Sequence, residues 1–217
     1  MSRSTSLLGT AAGLLLLSPL VAPRVLAFPY TAKVDQHRIY SEVPFDRSLK
    51  ALVSRADAKL LGSPLGRARA LNQDIFLTNG GWRWSWLALS SRQAFALSKP
   101  VTENIIVNRS NPARNVVENG LDVGGQRTLD GTLVHEMTHG AIRAHLGTLA
   151  DWKYPADIRE GYCDYVAGSG SLSDQQARML ERRGSDAPAL HYWRARKAVE
   201  AALAKNGGSV DALFAER

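Results

Sequence analysis

Two histidines and a glutamate lie together in the pentapeptide His135-Glu136-Met137-Thr138-His139. On an α-helix, residues four apart lie about 40° apart around the axis, so His135 and His139 share one face. Two imidazoles on one face can bind a single tetrahedral Zn²⁺ ion, and Glu136 can accept a proton from a zinc-bound water. The apolar pair Leu133-Val134 precedes the pentapeptide and favours a helix. The sequence therefore predicts a hydrolytic site with one zinc ion per chain.

A zinc ion needs a third protein ligand, and three candidates follow the pentapeptide. His145 stands at the third histidine of the metzincin pattern H-E-x-x-H-x-x-G-x-x-H, but Ile142 replaces the glycine at which that chain turns. If the helix continues instead, His145 lies roughly 15 Å along the axis from His135, too far to share an ion. Asp151 lies in a stretch that loosely resembles the Gly-Thr…Asp…Tyr-Gly signature of the aspzincins. That stretch is one residue too long, and Pro155 replaces its closing glycine.

Glu160 is the third candidate and the one that the sequence favours. About twenty residues separate it from His139, enough for a loop and the start of a returning helix. Asp164 lies four residues further on and so on the same helix face. Its carboxylate can accept the second N–H of a ligating histidine and fix the tautomer of the ring.

The phrases His-Glu-Met-Thr-His and Glu-Gly-Tyr-Cys-Asp-Tyr resemble the motifs H-E-x-x-H and E-x-x-x-D of the gluzincins, the thermolysin-like zinc peptidases. The resemblance covers roughly residues 129–168. It implies zinc ligands at His135, His139 and Glu160, a general base at Glu136, and an orienting carboxylate at Asp164, acting on His135. Only about 50 residues follow Asp164, so the chain resembles the reduced, single-domain gluzincins.

The same resemblance implies two further parts of the site. An extended substrate pairs with an edge strand that precedes the zinc helix, and Asn104–Asn108 is the best candidate for that strand. A tyrosine or histidine of a downstream helix stabilises the tetrahedral intermediate, and Tyr192 is preferred to His191.

The remaining patterns predict an α+β fold of the zincin-like type. A small, mostly antiparallel sheet precedes the zinc-binding helix, and the C-terminal half is helical. Trp82, Trp84 and Trp86 alternate and are interpreted as one face of a strand, which more often packs on a core than binds a ligand. The loop signals lie at 111–112 and at the glycines 120, 124 and 125. Helices are predicted at 46–62, 129–146, 155–167, 173–183 and 190–205.

The first 27 residues have the pattern of a secretory signal peptide. Arg3 precedes an apolar run, Leu7–Ala22, that is shorter than the ~20 residues of a spanning helix. Val25-Leu26-Ala27 supplies small residues for cleavage after Ala27. We therefore expect residues 28–217 to form one metallopeptidase domain in a secreted or periplasmic protein, without a membrane span after signal removal; an uncleaved signal anchor is the alternative.

Composition narrows the function classes. Hydrophobic residues make up 45% and charged residues 22% of the 217 residues, which excludes a disordered chain. The one cysteine excludes sites with two or four cysteine ligands. The net charge of +7 comes without a nucleic-acid-binding motif, so the expected partner is a peptide or protein substrate. Two alternatives to a peptidase remain open: a zinc amidase acting on cell-wall peptide bonds, and a non-catalytic protein that zinc stabilises for binding or assembly.

Overall fold

Residues 18–66 and 73–215 are described by the computed structural model. Most of the predicted signal peptide, residues 1–17, lies outside these ranges. The part that is described includes a 3₁₀ helix, Pro23–Leu26, in which Pro23 is buried. In these ranges we find no helix that is both long and apolar enough to cross a membrane.

The larger of the two sheets consists of the strands β1 (Tyr30–Val34), β2 (His37–Ser41), β3 (Asp74–Leu77), β4 (Ala96–Ser98) and β5 (Ile105–Val107). Their spatial order is β1-β2-β3-β5-β4. The outer pairs are antiparallel, whereas β2–β3 and β3–β5 are parallel. The protein is therefore a mixed α and β structure, as predicted, but this sheet is not mostly antiparallel. Parallel neighbours need a crossover, and helix α1 (Ser48–Leu61) connects β2 to β3.

The strand order also corrects the predicted edge strand. β5, which covers most of Asn104–Asn108, lies between β3 and β4 in the interior of the sheet. All its residues are apolar and fully buried, as is typical of a strand covered on both faces. The edge on this side of the sheet is the short strand β4, and β1 is the opposite edge.

The three alternating tryptophans lie on a helix rather than a strand. Helix α2 (Trp82–Ala88) buries Trp84 together with Leu87 and Ala88, a spacing of three and four residues. Trp82 and Trp86 are exposed on the other side. The helical period of the buried residues, which the alternation of tryptophans obscured, decides the structure of this segment.

A second sheet occupies a stretch that the sequence analysis interpreted mainly as a loop. Its strands, β6 (Arg109–Asn111), β7 (Val116–Glu118) and β8 (Gln126–Thr128), pair antiparallel in chain order. β8 leads directly into the helix that carries the pentapeptide. The helices after it are α3 (Leu129–Leu146), α4 (Ala150–Lys153), α5 (Ala156–Ala167), α6 (Asp174–Arg182), α7 (Pro188–Lys205) and α8 (Val210–Ala215).

Local signals explain why the predicted helices agree with the structure to within a few residues. The side chain of Thr128 accepts a hydrogen bond from the backbone N–H of Gly131 and begins α3, and Gly147 ends it at φ +100°. Ser173 and Gln176 form a reciprocal capping box at the start of α6. The short helices α4 and α8 were not predicted.

Alternate residues of the larger sheet contribute to two different clusters. One face packs against α1 and α3, through Ile75, Leu77, Ile105 and Val107. The other face packs against α2, through Phe76 and Ile106. The sheet therefore separates α2 from the helix that carries His135 and His139.

Helix α5 approaches α7 closely at Gly161, next to Glu160. A Cβ atom at this position would lie 2.5 Å from the backbone oxygen of Ala195 and 2.9 Å from the side chain of Val199. Backbone oxygen cannot move aside cheaply, so glycine sets the distance between the two helices.

We expect Gly161→Ala to lower the free energy of unfolding by about 1–3 kcal/mol, because overpacking outweighs the better helix propensity of alanine. Gly62→Ala is the matched control. Its φ of −75° suits any residue, and its nearest atoms lie at 3.5 Å. Urea unfolding of both variants tests the expectation, and equal stability of the two would contradict it.

Candidate metal centre

The two histidines of α3 face one carboxylate of α5. His135 Nε2 lies 3.2 Å from Glu160 Oε2, and His139 Nε2 lies 3.6 Å from Glu160 Oε1. Two ligands bound tetrahedrally to zinc at about 2.0–2.2 Å stand about 3.3–3.6 Å apart. Both spacings lie close to this range, and in the metal-free protein the shorter one is a hydrogen bond between His135 and Glu160.

Asp164 fixes the orientation of His135. Its Oδ1 atom accepts a 2.7 Å hydrogen bond from Nδ1 of the ring, and its side chain is almost fully buried. A histidine binds metal in its neutral state. In the neutral ring Nδ1 carries the proton that it donates to Asp164, so Nε2 has a free lone pair directed toward Glu160. Asp164 also accepts a bond from Nη2 of Arg127.

Electrostatics make His135 basic in the metal-free protein. Burial lowers the pKa of the ring, but Asp164 and Glu160 more than offset this effect and raise the pKa to about 10. Burial likewise raises the pKa of Glu160, yet His139 and His135 hold it well below its usual range. A metal must displace a proton from His135 at neutral pH, so its affinity increases with pH.

Cys163 is a further donor at this centre that the sequence analysis did not consider as a ligand. Its sulfur and one ring nitrogen of each histidine lie within 4.8 Å of one another, a group that can hold a metal. The thiol is fully buried in the core, and burial followed by the charge of Glu160 raises its pKa well above the usual range. Glu160 lines the cavity described next, whereas Cys163 does not.

A cavity of about 470 Å³ opens beside the centre, and His135, Glu136, His139 and Glu160 line it. Glu136 is 5% exposed and has no hydrogen-bond partner in the described part of the chain. A buried carboxylate without a partner is costly, so the cavity holds a polar group that is available to a ligand or water.

Tyr192, the predicted oxyanion partner, lines the same cavity although 42% of its surface is exposed, and His191 is exposed as well. Burial, with added repulsion from Glu160 and Asp164, raises the pKa of Tyr192 to about 12. The hydroxyl is therefore a hydrogen-bond donor at neutral pH.

Strand β4 forms another wall of the cavity, with Ala96, Leu97 and Ser98 among the lining residues. Just outside the two ends of its pairing with β5, the N–H of Asn108 donates to the carbonyl of Phe95 and the N–H of Lys99 donates to the carbonyl of Asn104. Because antiparallel pairing alternates, Ala96 and Ser98 direct their backbone groups away from β5 and toward the open edge.

The other two ligand candidates lie in different contacts. The ring of His145 pairs with Asp211 at 2.6 Å, because α3 continues through the fully buried Ile142. Asp151 lines the cavity but accepts bonds from Arg143 and Arg159, at 2.9 and 3.3 Å.

Two arginines near the centre were missed by the sequence analysis. Arg127 of β8 belongs to no motif, and nothing in the sequence connects it with Asp164. Arg143 follows His139 by one helical turn, a same-face spacing that is a usable signal. It bonds Ser98 of β4 at 2.5 Å, Glu103 of the turn after β4 at 2.6 Å, and Asp151 of α4.

We expect Glu160→Ala to abolish tight zinc binding, because two histidines alone hold zinc weakly. His145→Ala is the matched control and should retain about one zinc per chain. Asp164→Asn should weaken zinc affinity by roughly 10–100-fold, since it disturbs only the orientation of a ligand. Metal analysis after dialysis against a calibrated chelator measures all three, and loss of zinc in His145→Ala would refute this ligand set.

Comparison of the chain with protein-family models, with curated proteins and with solved structures finds no match in any of the three. The arguments about its chemistry therefore depend on the residues of this chain. Those residues combine two histidines, a carboxylate that faces both of them, and a free carboxylate at the wall of the same cavity.

Proposed function

We propose that this protein is an exported, zinc-dependent metallopeptidase of the reduced gluzincin type. In this proposal His135, His139 and Glu160 hold one zinc ion, and Glu136 is the general base. When bound, zinc would supply a Lewis acid that polarises a peptide carbonyl and increases the acidity of water. The donor spacing of 3.2 and 3.6 Å supports a metal at this position.

The observation that carries the proposal is the state of Glu136. Its carboxylate is buried at the cavity wall, directly beside His135 in the chain, and has no hydrogen-bond partner among the residues described. A carboxylate with a structural role would be expected to have partners. A general base needs a free oxygen that can receive the proton of the attacking water and pass it to the leaving amine.

Two more side chains have roles in the proposed reaction. Asp164 keeps Nε2 of His135 directed at the metal position by accepting the bond from Nδ1. Tyr192 donates its hydroxyl to the carbonyl oxygen as negative charge develops there, a role that its protonated state at neutral pH supports.

The substrate of this proposal is an extended peptide that adds a strand to β4. The outward backbone groups of Ala96 and Ser98 supply donors and acceptors along the cavity wall. Arg143 supports this edge from behind, because it bonds Ser98 and the turn residue Glu103 to the zinc-carrying helix. We further propose, from residues 1–27, that the peptidase acts in a secreted or periplasmic location.

Cys163 favours a second candidate function. If its sulfur joined His135, His139 and Glu160, the metal would have four protein ligands and no open position. Such closed sites are structural, and zinc would then stabilise a binding or assembly protein. The absence of Cys163 from the cavity wall and the free carboxylate of Glu136 make the catalytic role the preferred proposal.

We expect Glu136→Gln to reduce peptide hydrolysis by about 10²–10⁴-fold while zinc stays at about one per chain, because the amide keeps the shape and loses the basicity. Glu181→Gln, which changes an exposed glutamate, is the control and should keep full activity. The assay is mass-spectrometric mapping of cuts in a peptide library. Wild-type turnover by Glu136→Gln would show that the base is another group.

We expect Cys163→Ala to keep its zinc and its activity if the site is open. The cobalt-substituted wild type should then show no thiolate-to-metal charge-transfer absorption. A closed structural site makes the opposite prediction, namely that this absorption is present and that the variant loses zinc. Because Cys163 is fully buried, thermal unfolding of the zinc-free forms separates a packing defect from the loss of a ligand.

A further inference from the structure

Helix α2 presents an apolar face to solvent. Trp82, Trp86 and Leu89, which follows the helix, are 60%, 39% and 53% exposed. Trp82 and Trp86 are four residues apart and so lie on one side of the helix, opposite the buried Trp84 and Leu87, and Leu89 directly follows the helix. Two exposed indoles and a leucine within about two helical turns are more than the scattered apolar residues of an ordinary surface.

This face adjoins the N-terminal end of the described chain. The guanidinium of Arg83 stacks on Trp82 at 4.6 Å and donates to the carbonyl oxygens of Leu26 and Ala27, at 2.8 and 3.1 Å. Val25 is 55% exposed and Val21 is 64% exposed. The chain reaches this region directly from the apolar run Leu7–Ala22 of the sequence.

The charges around the face are basic. Arg24 lies in the 3₁₀ helix beside Leu26, whose carbonyl oxygen accepts a bond from Arg83. Arg24 has no acidic partner within the part of the chain that the structure describes. The nearby carboxylate of Glu42 is already paired with Arg83, at 2.7 Å.

We propose that the face formed by Trp82, Trp86 and Leu89 docks on the surface of an anionic lipid bilayer. Tryptophan rings prefer the boundary between acyl chains and headgroups, where the apolar ring is buried and the N–H stays wet. Arginines next to such rings attract anionic headgroups. The proposal concerns the chain that keeps its apolar run, the alternative to cleavage after Ala27, because an apolar run retained in the chain would hold it at a bilayer.

Docking in this way leaves the proposed site accessible. The larger sheet lies between α2 and α3, since Phe76 and Ile106 pack toward α2 whereas Ile75 and Ile105 pack toward α3. The end of the cavity that His135, His139 and Glu160 line is therefore on the opposite side of the sheet from α2, although Ser91 and Leu97, which follow α2 in the chain, also line the cavity. The inference does not depend on the proposed peptidase activity and concerns a different surface.

The test measures which tryptophans touch lipid in the full chain, bound to vesicles that contain anionic phospholipids brominated near the top of the acyl chains. Vesicle binding alone would not be informative, because Leu7–Ala22 can bind lipid by itself. Bromine quenches only the indoles that it contacts, so the readout is specific to a position.

The double variant Trp82→Phe, Trp86→Phe should lose most of the lipid quenching seen in the wild type. Trp152→Phe, which removes a 71% exposed tryptophan on α4, is the matched control and should keep it.

Three outcomes would overturn the proposal. One is equal lipid quenching in the wild type and in the double variant. Another is that acrylamide quenches the fluorescence of Trp82 and Trp86 equally in the presence and in the absence of vesicles, which would show that the face stays in water. The last is protection of these indoles from acrylamide before any lipid is added, which would show that a second copy of the chain covers the face. Circular dichroism of each variant confirms that it is folded.

Discussion

The buried carboxylate of Asp164 is the point at which three parts of the fold meet. It belongs to α5, accepts a bond from His135 of α3, and accepts another from Arg127 of β8. Removing one partner of a buried ionic group leaves an uncompensated charge, which costs about 3–5 kcal/mol. The register of α5 against α3 is therefore fixed by this carboxylate, and Glu160, one turn earlier, is brought to both histidines by the same constraint.

Close packing behind α5 supports this arrangement. Gly161 allows the backbone of α7 to approach, and Tyr192 near the start of α7 reaches the cavity wall. On the far side of the histidines, Arg143 bonds β4, the turn after it and α4 to α3. The catalytic groups that we propose thus lie between two contacts. One is the close packing of α5 on α7 at Gly161, and the other is the set of ionic bonds made by Arg143.

Sequence reasoning succeeded where the signal is local. The bounds of α3 follow from the cap at Thr128 and the glycine after Leu146, and the four-residue spacing of Glu160 and Asp164 correctly predicted a shared face. It failed where the outcome depends on distant pairing. Strand order decides that β4, and not β5, is at the edge, and no pattern within either strand determines that order. The alternation of the tryptophans wrongly predicted a strand, because the residues buried together with Trp84 lie three and four positions further on, which is a helical spacing.

The burial of Cys163 has a consequence for the redox chemistry of the whole molecule. Oxidation and thiol exchange need an accessible thiolate, and this thiol is fully buried with a pKa well above the usual range. It is also the one cysteine of the chain. A folded molecule therefore offers no sulfur for a disulfide-linked dimer or for glutathione, even in an oxidising compartment. Disulfide-linked dimers in a preparation would therefore have formed from chains that had unfolded and exposed Cys163.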